Sequence, residues 1–279
     1  MYLKVPAKPF VKWAGGKQQL LGQYDSFFPA CFARYIEPFI GGGAVFFHLW
    51  SRGSVSDQAL LFDNNENLVN TYKVVRNDVD ELIGLLKVHK EKHSRDYYYA
   101  IRDLDRQNAT LSDVERAART IYLNKTCYNG LYRVNNRDQF NVPMGSYSSP
   151  RILDENTLQN ASRALQNASL EVSGFRQIQD FARAGDFIYF DPPYDPVSRT
   201  ASFTGYTANL FRDEDQCGLA IVYAALTERG CLCMLSNSYT PLVLGLYRDY
   251  RVEVVQASRA INSKADGRGS VKEVVVLNY

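Results

Sequence analysis

Short apolar runs, each ending in a polar or glycine-rich turn, predict the strands of a sheet. The first run extends from Tyr35 to Ile40 and ends in Gly41-Gly42-Gly43. The second extends from Ala59 to Phe62 and ends in Asp63. The apolar stretch between them, residues 44–50, fits a helix. The order strand, glycine loop, helix, strand is typical of the opening of a doubly wound α/β domain.

The pattern changes to helical spacing from about residue 64 to residue 125. Residues 66–76 and the amphipathic segment 79–89 are candidate helices. Ser112, followed three residues later by Glu115, forms a capping box that opens a further helix, which we predict to continue through Tyr122.

Residues 126–150 are rich in Asn, Tyr, Arg, Gly and Pro. Asn135-Asn136 favours a turn between the arms 131–134 and 139–142 of a β-hairpin. Helices and hairpin together form a predicted insert at residues 71–160. The insert divides an α/β domain into a first part, residues 1–70, and a second part, residues 161–279.

After the insert, strands and helices alternate again. Predicted helices are 158–165 and 214–229, and predicted strands are 170–172, 187–190, 231–235, 252–255 and 274–277. Segments rich in small and polar residues, 197–210 and 262–270, predict loops.

Composition limits the chemistry that this chain can carry. A formal net charge of +2 over 279 residues means that any surface for nucleic acid must be a local one. The five cysteines include no Cys-x-x-Cys pair and only three histidines are present, so we predict neither a disulfide framework nor a metal site. No segment resembles a signal peptide or a membrane span, which predicts a cytoplasmic protein.

The most informative segment follows the apolar run 187–190. The run stops at Asp191-Pro192-Pro193-Tyr194, because two prolines fix φ and remove two backbone donors. A carboxylate, two carbonyls and an aromatic ring are therefore expected at the carboxyl end of a strand, where α/β sheets bind ligands. This group can bind a planar amine and stack on its ring, as an extruded nucleobase requires. A rigid turn without chemistry is the alternative.

Gly41-Gly42-Gly43 allows a ligand to approach the backbone closely. Asp63 ends the next predicted strand, where an acid can bind ribose hydroxyls. Together they indicate a cofactor that contains a nucleoside, and both nicotinamide dinucleotides and S-adenosylmethionine fit. A structural glycine turn beside a solvated aspartate is the alternative.

Two segments combine basic and aromatic residues. Trp13 lies beside Gly15-Gly16 and between lysines, so it either covers a ligand or packs in the core. In the insert, cations alternate with tyrosines, as suits phosphate contact and base stacking, although an ordinary polar hairpin has the same pattern. The residues of this second segment are Arg119, Tyr122, Lys125, Tyr128, Tyr132, Arg133 and Arg137.

Taken together, the motifs resemble those of the Dam-type DNA adenine methyltransferases, in the subgroup that methylates GATC. The matching strings, in the order of the family, are residues 10–17, 37–43, 124–133, 140–143 and 191–194. The resemblance implies an α/β fold: a Rossmann-like S-adenosylmethionine-dependent methyltransferase sheet with an inserted helical and β-hairpin DNA-recognition domain. It also implies duplex DNA as partner and a monomer, and it allows a restriction endonuclease of the same system.

The resemblance assigns roles residue by residue. S-adenosylmethionine would be bound by Trp13, Lys17, Phe39, Gly41, Gly43, Asp63, Phe175 and Asp191. The catalytic pocket would consist of Asp191, Pro192, Pro193 and Tyr194. DNA would be contacted by Lys12, Tyr128, Asn129, Leu131, Arg133 and Pro143. Lys12 and Arg133 would read guanines, and Tyr128 would enter the base stack. Relatives often have an acid before the aromatic at 175, where this chain has Gly174.

Other functions share part of this pattern. Methyltransferases of RNA or of protein amides use a related Pro-Pro-Tyr turn, but the basic and aromatic hairpin argues against them. A DNA-binding regulator that has lost activity would not need Asp191 to Tyr194 and Gly41 to Gly43 intact. For a nicotinamide-dependent oxidoreductase, no acid/base pair for a second substrate is visible.

Overall fold

The structure, a computed structural model, describes residues 6–55, 58–107, 109–197, 211–258 and 270–279. Within these residues, seven strands form one sheet in the order β3-β2-β1-β4-β5-β7-β6. The strands are β1 Tyr35–Glu37, β2 Ala59–Asp63, β3 Ala168–Val172, β4 Phe187–Phe190, β5 Leu232–Ser238, β6 Arg251–Ser258 and β7 Ser270–Leu277. Strands β1 to β5 pair in parallel, and β7 pairs antiparallel with both β5 and β6. The predicted α/β class is confirmed.

The predicted strands occur in the structure with small differences at their ends. Strand β1 ends at Glu37 and not at the predicted Ile40, because Pro38 has no amide hydrogen to donate to a neighbouring strand. Strand β4 matches the predicted run 187–190, and all four of its residues are buried. The predicted loops at 197–210 and 262–270 lie outside the described residues, apart from 197 and 270.

Ten α-helices are described. They are α1 Leu21–Tyr24, α2 Ala44–Ser51, α3 Glu66–Asn77, α4 Val79–Glu91, α5 Arg95–Arg102, α6 Asp113–Thr126, α7 Glu155–Leu165, α8 Ile178–Phe181, α9 Asp213–Glu228 and α10 Pro241–Leu246. Helix α6 begins at the predicted capping box of Ser112 and Glu115 and continues four residues beyond Tyr122. Helix α5, which begins after Ser94, was not predicted. None of the described helices has both the length and the apolar composition that crossing a bilayer needs.

Helices cover both faces of the sheet, because alternate strand residues point to opposite sides. On one face, Tyr189 packs in a core that includes residues of α2, α3, α6 and α7. On the other face, Ile188 packs in a core with residues of α8, α9 and α10.

The insert has a small core of its own. Its buried residues are Tyr98, Tyr122, Leu123, Cys127, Phe140, Val142 and Ile152. Helix α6 also contributes Ile121 to the core of the sheet, so the segment 71–160 packs directly on the sheet. The predicted boundaries at 70/71 and 160/161 fall inside α3 and α7, and the division into domains stays a prediction.

The hairpin at residues 131–142 differs from its prediction. Its arms are joined by one isolated bridge, Val134 to Phe140, and not by two continuous strands. The bend is centred on residues 136–138, because Asn135 Oδ1 accepts hydrogen bonds from the amides of Arg137 and Gln139. Asp138, at φ 54°, takes the left-handed conformation that closes this turn.

Candidate active site

A cleft of about 1520 Å³ lies at the carboxyl ends of β1, β2 and β4. The strand order reverses between β1 and β4, which is where open α/β sheets bind ligands. All eight residues predicted to bind the cofactor and all four predicted catalytic residues line this cleft, together with Lys12. Side chains from distant parts of the chain are thus brought to one place, whereas their individual roles stay predictions.

Three neighbouring strands each place an acid at this edge: Glu37, Asp63 and Asp191. Burial raises the pKa of Asp63 to about 6, although the amides of Gly41 and Asn65 donate to its oxygens at 3.1 and 2.9 Å. Burial also raises the pKa of Glu37 and of Asp191 above the usual carboxyl range. The ammonium of Lys17 opposes both of these shifts without cancelling them.

Lys17 holds the carboxylate of Asp191 directly. Its Nζ lies 2.7 Å from Oδ2 and 2.6 Å from Oδ1 of Asp191, across 174 residues of sequence. The Lys17 side chain is 4% exposed and that of Asp191 is 20% exposed, so the pair opens only toward the cleft. Ser236, on β5, donates to Asp191 Oδ1 at 3.0 Å. One carboxylate is therefore oriented by a cation and a hydroxyl.

The ring of Tyr194 lies next to this pair. Lys17 Nζ is 4.6 Å from the centroid of the Tyr194 ring, within cation–π range. The Tyr194 hydroxyl donates to Glu273 Oε2 on β7 at 3.0 Å. The hydroxyl and one face of the ring thus have partners, and Tyr194 lines the cleft.

The glycine loop forms the part of the cleft between β1 and α2. Gly41 and Gly43 have φ of 45° and 68°, which glycine adopts without strain. A Cβ at Gly43 would lie 2.7 Å from the Tyr72 hydroxyl, and one at Gly41 would lie 2.8 Å from Trp13 Cδ1. The loop therefore requires glycine for both its conformation and its close packing.

Aromatic side chains form another wall of the cleft. The rings of Phe39 and Phe175 stack with centroids 5.7 Å apart, and Phe211 meets Phe39 edge-on at 6.0 Å. Beside them, a Cβ at Gly174 would lie 3.1 Å from Gln177 Oε1. The space where relatives often have an acid is thus next to an amide oxygen in this chain.

The predicted DNA-contacting residues form a second surface that meets the cleft at Lys12. Asn124, which is 1% exposed, accepts from the Lys12 amide at 2.8 Å and donates to the Lys12 carbonyl at 2.7 Å. It also donates to the Gly130 carbonyl at 3.1 Å. Asn124 therefore fixes the N-terminal segment against the start of the hairpin.

The exposed tip of this surface carries Tyr128, whose side chain is 53% exposed. Its amide donates to the carbonyl of Pro143 at 2.9 Å, which holds two of the predicted DNA contacts together. Asn129 follows in the left-handed conformation, with φ of 56°, which asparagine tolerates better than most residues.

Arg133 is exposed on the hairpin and does not line the cleft. Its Nε donates to Asn141 Oδ1 at 2.6 Å, so the opposite arm of the same hairpin orients the guanidinium. Trp13, from the cleft, stacks on the neighbouring Tyr132 with ring centroids 5.2 Å apart. Leu131 is half-buried beside this stack. The two surfaces are therefore adjoining and in direct contact.

Several residues of the site received no role in the sequence analysis: Asn124, Gln216, Ser236, Asn237 and Glu273. Only Ser236 and Asn237 had a local signal, because they follow the apolar run of β5 as polar residues at a strand end. Asn124 and Gln216 lie within helices and Glu273 lies on the interior strand β7, so they reach the site only through the fold.

A mainly parallel α/β sheet, with a cleft at its switch point and an Asp-Pro-Pro-Tyr turn in that cleft, fits the class of Rossmann-like methyltransferases. Residues 13–261 match the family model described as D12 class N6 adenine-specific DNA methyltransferase. The chain therefore belongs to this family, and it is an adenine-specific DNA methyltransferase.

Its relatives support this assignment over nearly the whole chain. It is 43% identical over 288 residues to the Type II methyltransferase M.MjaIII of Methanocaldococcus jannaschii, covering 98% of this chain and 99% of that protein. It is 41% identical over 280 residues to the Type II methyltransferase M1.LlaDCHI of Lactococcus lactis subsp. cremoris, covering 99% and 97%. It is 33% identical over 274 residues to the DNA adenine methylase of Escherichia coli (strain K12), covering 97% and 95%.

Proposed function

We propose that the protein transfers a methyl group from S-adenosylmethionine to the N6 nitrogen of adenine within GATC, after the adenine has left the duplex. One observation carries this proposal: the Asp191-Pro192-Pro193-Tyr194 turn and the Gly41–Gly43 loop face the same cleft. This arrangement supports an amine acceptor beside a nucleoside site.

The residues present fit S-adenosylmethionine. The loop at Gly41 and Gly43 has no side chains, so its backbone can approach a ligand. Asp63 offers an acid to ribose hydroxyls, and Trp13, Phe39 and Phe175 offer apolar surface for a base. When bound, this cofactor supplies a methyl group on a positively charged sulfur.

The turn prepares the adenine amine for attack. This nitrogen is a poor nucleophile, because its lone pair is delocalised into the purine ring. Hydrogen bonds from the amine to Asp191 and to the Pro192 carbonyl favour a pyramidal nitrogen with a localised lone pair. Tyr194 holds the ring by stacking, and positioning and fixed dipoles lower the barrier. In this proposal, no enzyme side chain forms a covalent bond to the base.

The target adenine must leave the duplex, because its amine is paired there. Tyr128, exposed at the tip, enters the space beside the flipped base. Lys12 and Arg133 contact guanines, Leu131 and Pro143 contact thymine, and Asn129 lies against the DNA. An arginine can bind O6 and N7 of guanine bidentately, which gives site discrimination.

The wider setting follows from the same resemblance. The protein acts as a cytoplasmic monomer, with residues 71–160 as its target-recognition domain and residues 1–70 and 161–279 as its catalytic domain. Two relatives are named Type II methyltransferases. This supports a role in a restriction-modification system, with a restriction endonuclease of the same system as partner.

Methylation of unmodified plasmid DNA tests the proposal. The protein is incubated with labelled S-adenosylmethionine and plasmid, RNA or bulk protein, and the modified adenines are then mapped. Label in plasmid adenines confined to GATC is the expected result. Label in adenines of another DNA sequence would refute only the GATC specificity. Label only in RNA or protein would refute DNA as the substrate. Cofactor binding without turnover on any DNA would indicate a regulator.

A further inference from the structure

The catalytic turn cannot be held by its own backbone. Pro192 and Pro193 have no amide hydrogens, so residues 191–196 form no hydrogen-bonded turn. In the part of the chain that the structure describes, no hydrogen bond ends on the Pro192 carbonyl. The direction of that carbonyl must therefore be set by contacts to its neighbours.

Two buried amide side chains make these contacts. Gln216, on α9, donates from Nε2 to the Pro193 carbonyl at 3.1 Å. Asn237, on β5, accepts from the Asp195 amide at 3.0 Å. The two side chains are joined by a hydrogen bond from Asn237 Nδ2 to Gln216 Oε1, at 3.0 Å. Gln216 is 1% exposed and Asn237 is fully buried, so water does not replace these bonds.

The chemistry of the partners fixes the orientation of both amides. Asn237 Oδ1 faces two backbone donors, the amides of Asp195 and Ser238, so its Nδ2 must face Gln216. Gln216 must then present Oε1 to Asn237 and Nε2 to the Pro193 carbonyl. Reversing either amide would place two donors or two acceptors against each other. The pair therefore acts as one rigid clamp.

We propose that Gln216 and Asn237 are positioning residues that aim the Pro192 carbonyl at the adenine amine. The inference deepens the proposed function and rests on the roles given there to Asp191 and Pro192. In an extended proline segment, successive carbonyls point in directions fixed by the backbone geometry. Holding the Pro193 carbonyl against α9 thus fixes the direction of the Pro192 carbonyl, without the clamp touching the substrate.

The substitution Gln216→Glu tests the clamp with little change in shape. A protonated carboxyl can still donate to the Pro193 carbonyl and accept from Asn237, whereas a carboxylate presents an acceptor to that carbonyl. Burial raises the pKa of such a carboxyl, so protonation falls within an accessible pH range. A displacement of the reacting groups by about 1 Å can lower the reaction rate about 100-fold. We therefore expect the variant to methylate about 100-fold more slowly than wild type at high pH.

The rate of the variant should recover toward wild type as the pH falls. The measurement is the single-turnover methylation rate, given at each pH as the ratio of variant to wild type. This ratio removes pH effects that the two enzymes share, including those of Asp191 and Asp195 on the turn and Arg212, Asp213 and Asp215 at the start of α9. Cofactor and DNA dissociation constants and the unfolding temperature are measured for each protein.

Three further variants complete the test. Gln216→Leu cannot donate at any pH and should stay slow throughout. Asn237→Asp keeps the acceptor for Asp195 but forces Gln216 to turn its amide, so it should be slow with near-normal binding. Asn70→Asp is the control, because Asn70 is also buried and donates to a backbone carbonyl, that of Asp113 at 2.9 Å, but lies in α3.

The outcomes separate this inference from the proposed function. A wild-type enzyme that does not methylate adenine from S-adenosylmethionine contradicts the proposed function itself. With an active wild type, equal rates for Gln216→Glu and Gln216→Leu at every pH overturn the clamp. A loss explained by weaker DNA or cofactor binding, or matched by Asn70→Asp at equal unfolding temperature, overturns it as well. A low-pH recovery confined to Gln216→Glu supports it.

Discussion

The carboxyl edge of the sheet adjoins the hairpin at residues 131–142, but the two regions are built differently. At the edge, the polar atoms are fixed by residues far away in sequence. Asp191 is held by Lys17 and Ser236, Tyr194 by Glu273, and the turn by Gln216 and Asn237. At the hairpin, Arg133 is held by Asn141, eight residues away.

This difference matches what the proposed function requires of the two regions. Methyl transfer requires reacting atoms placed to within a fraction of an ångström, which only a network anchored in the core provides. Base reading occurs against a partner that itself bends and adjusts, so side chains on a less regular hairpin can adapt on binding. Contact between the regions is concentrated at Lys12, Asn124 and the Trp13–Tyr132 stack.

The largest effect is expected from Asp191→Ala. The variant loses the carboxylate that we propose accepts from the adenine amine, so methyl transfer should fall by about 100- to 1000-fold, as for other preorganised polar groups. DNA binding should change little, because the hairpin does not depend on Asp191. Single-turnover methylation and a DNA-binding isotherm measure the two quantities separately.

Asp186→Ala is the matched control, at the opposite end of the same strand. Asp186 is 1% exposed and pairs with Arg34 at 2.6 Å, so this variant also breaks a buried ion pair. Both variants should lower the free energy of unfolding, since each leaves a cation without its partner. Only Asp191→Ala should lose the rate per folded molecule. Equal methylation rates in the two variants would show that Asp191 takes no part in the chemistry.

Arg133→Ala should affect discrimination between sites and not the chemistry. If Arg133 binds guanine bidentately, its loss lowers kcat/KM on the preferred site by the equivalent of about 1–3 kcal/mol. On sites altered at that base pair, kcat/KM should fall much less. The measurement is kcat/KM on duplexes that carry each single-base substitution. Arg137→Ala, on the same hairpin, is the control and should weaken all sites alike. If Arg133→Ala discriminates between sites as well as wild type does, another residue must recognise the guanine.

Cofactor binding should depend on pH through Asp63. Because burial raises its pKa to about 6, Asp63 is ionised above this pH and becomes protonated below it. Protonation removes an acceptor for ribose hydroxyls, so S-adenosylmethionine should bind about tenfold more weakly at pH 5 than at pH 8. Calorimetric titration across this range measures the change. In Asp63→Asn the affinity should be lower and should lose this dependence. If the affinity of Asp63→Asn still depended on pH, the pH dependence would come from another group.

The smallest effect is expected where the two regions touch. A double-mutant cycle of Trp13→Leu and Tyr132→Leu should give a coupling free energy of about 0.5–1.5 kcal/mol in unfolding, the usual value for an aromatic pair. Urea unfolding of the four proteins measures it. A coupling of zero would mean that cleft and hairpin are neighbours without mutual support.

Much of the fold followed from local patterns. Strand β4 and the capping box at Ser112 were predicted closely, because apolar runs and helix caps act through neighbouring residues. The turn at Asn135 was predicted from its sequence, and the Asn135 side chain accepts from the amides of Arg137 and Gln139 there. The arms of the hairpin are joined by a single isolated bridge and not by continuous strands, which the local pattern did not predict. Helix α5 was missed although Ser94 caps its first turn by accepting from the Tyr97 amide.

The candidate site also has features that the local sequence determines and features that it does not. Sequence alone determined that an acid and two prolines end a buried strand and that glycines follow another, because these signals depend on adjacent residues. It did not determine that Lys17 holds Asp191, 174 residues away, or that Gln216 and Asn237 clamp the turn. Such contacts depend on which strands and helices become neighbours when the sheet is assembled. That choice is made by packing over the whole chain, and only the tertiary structure decides it.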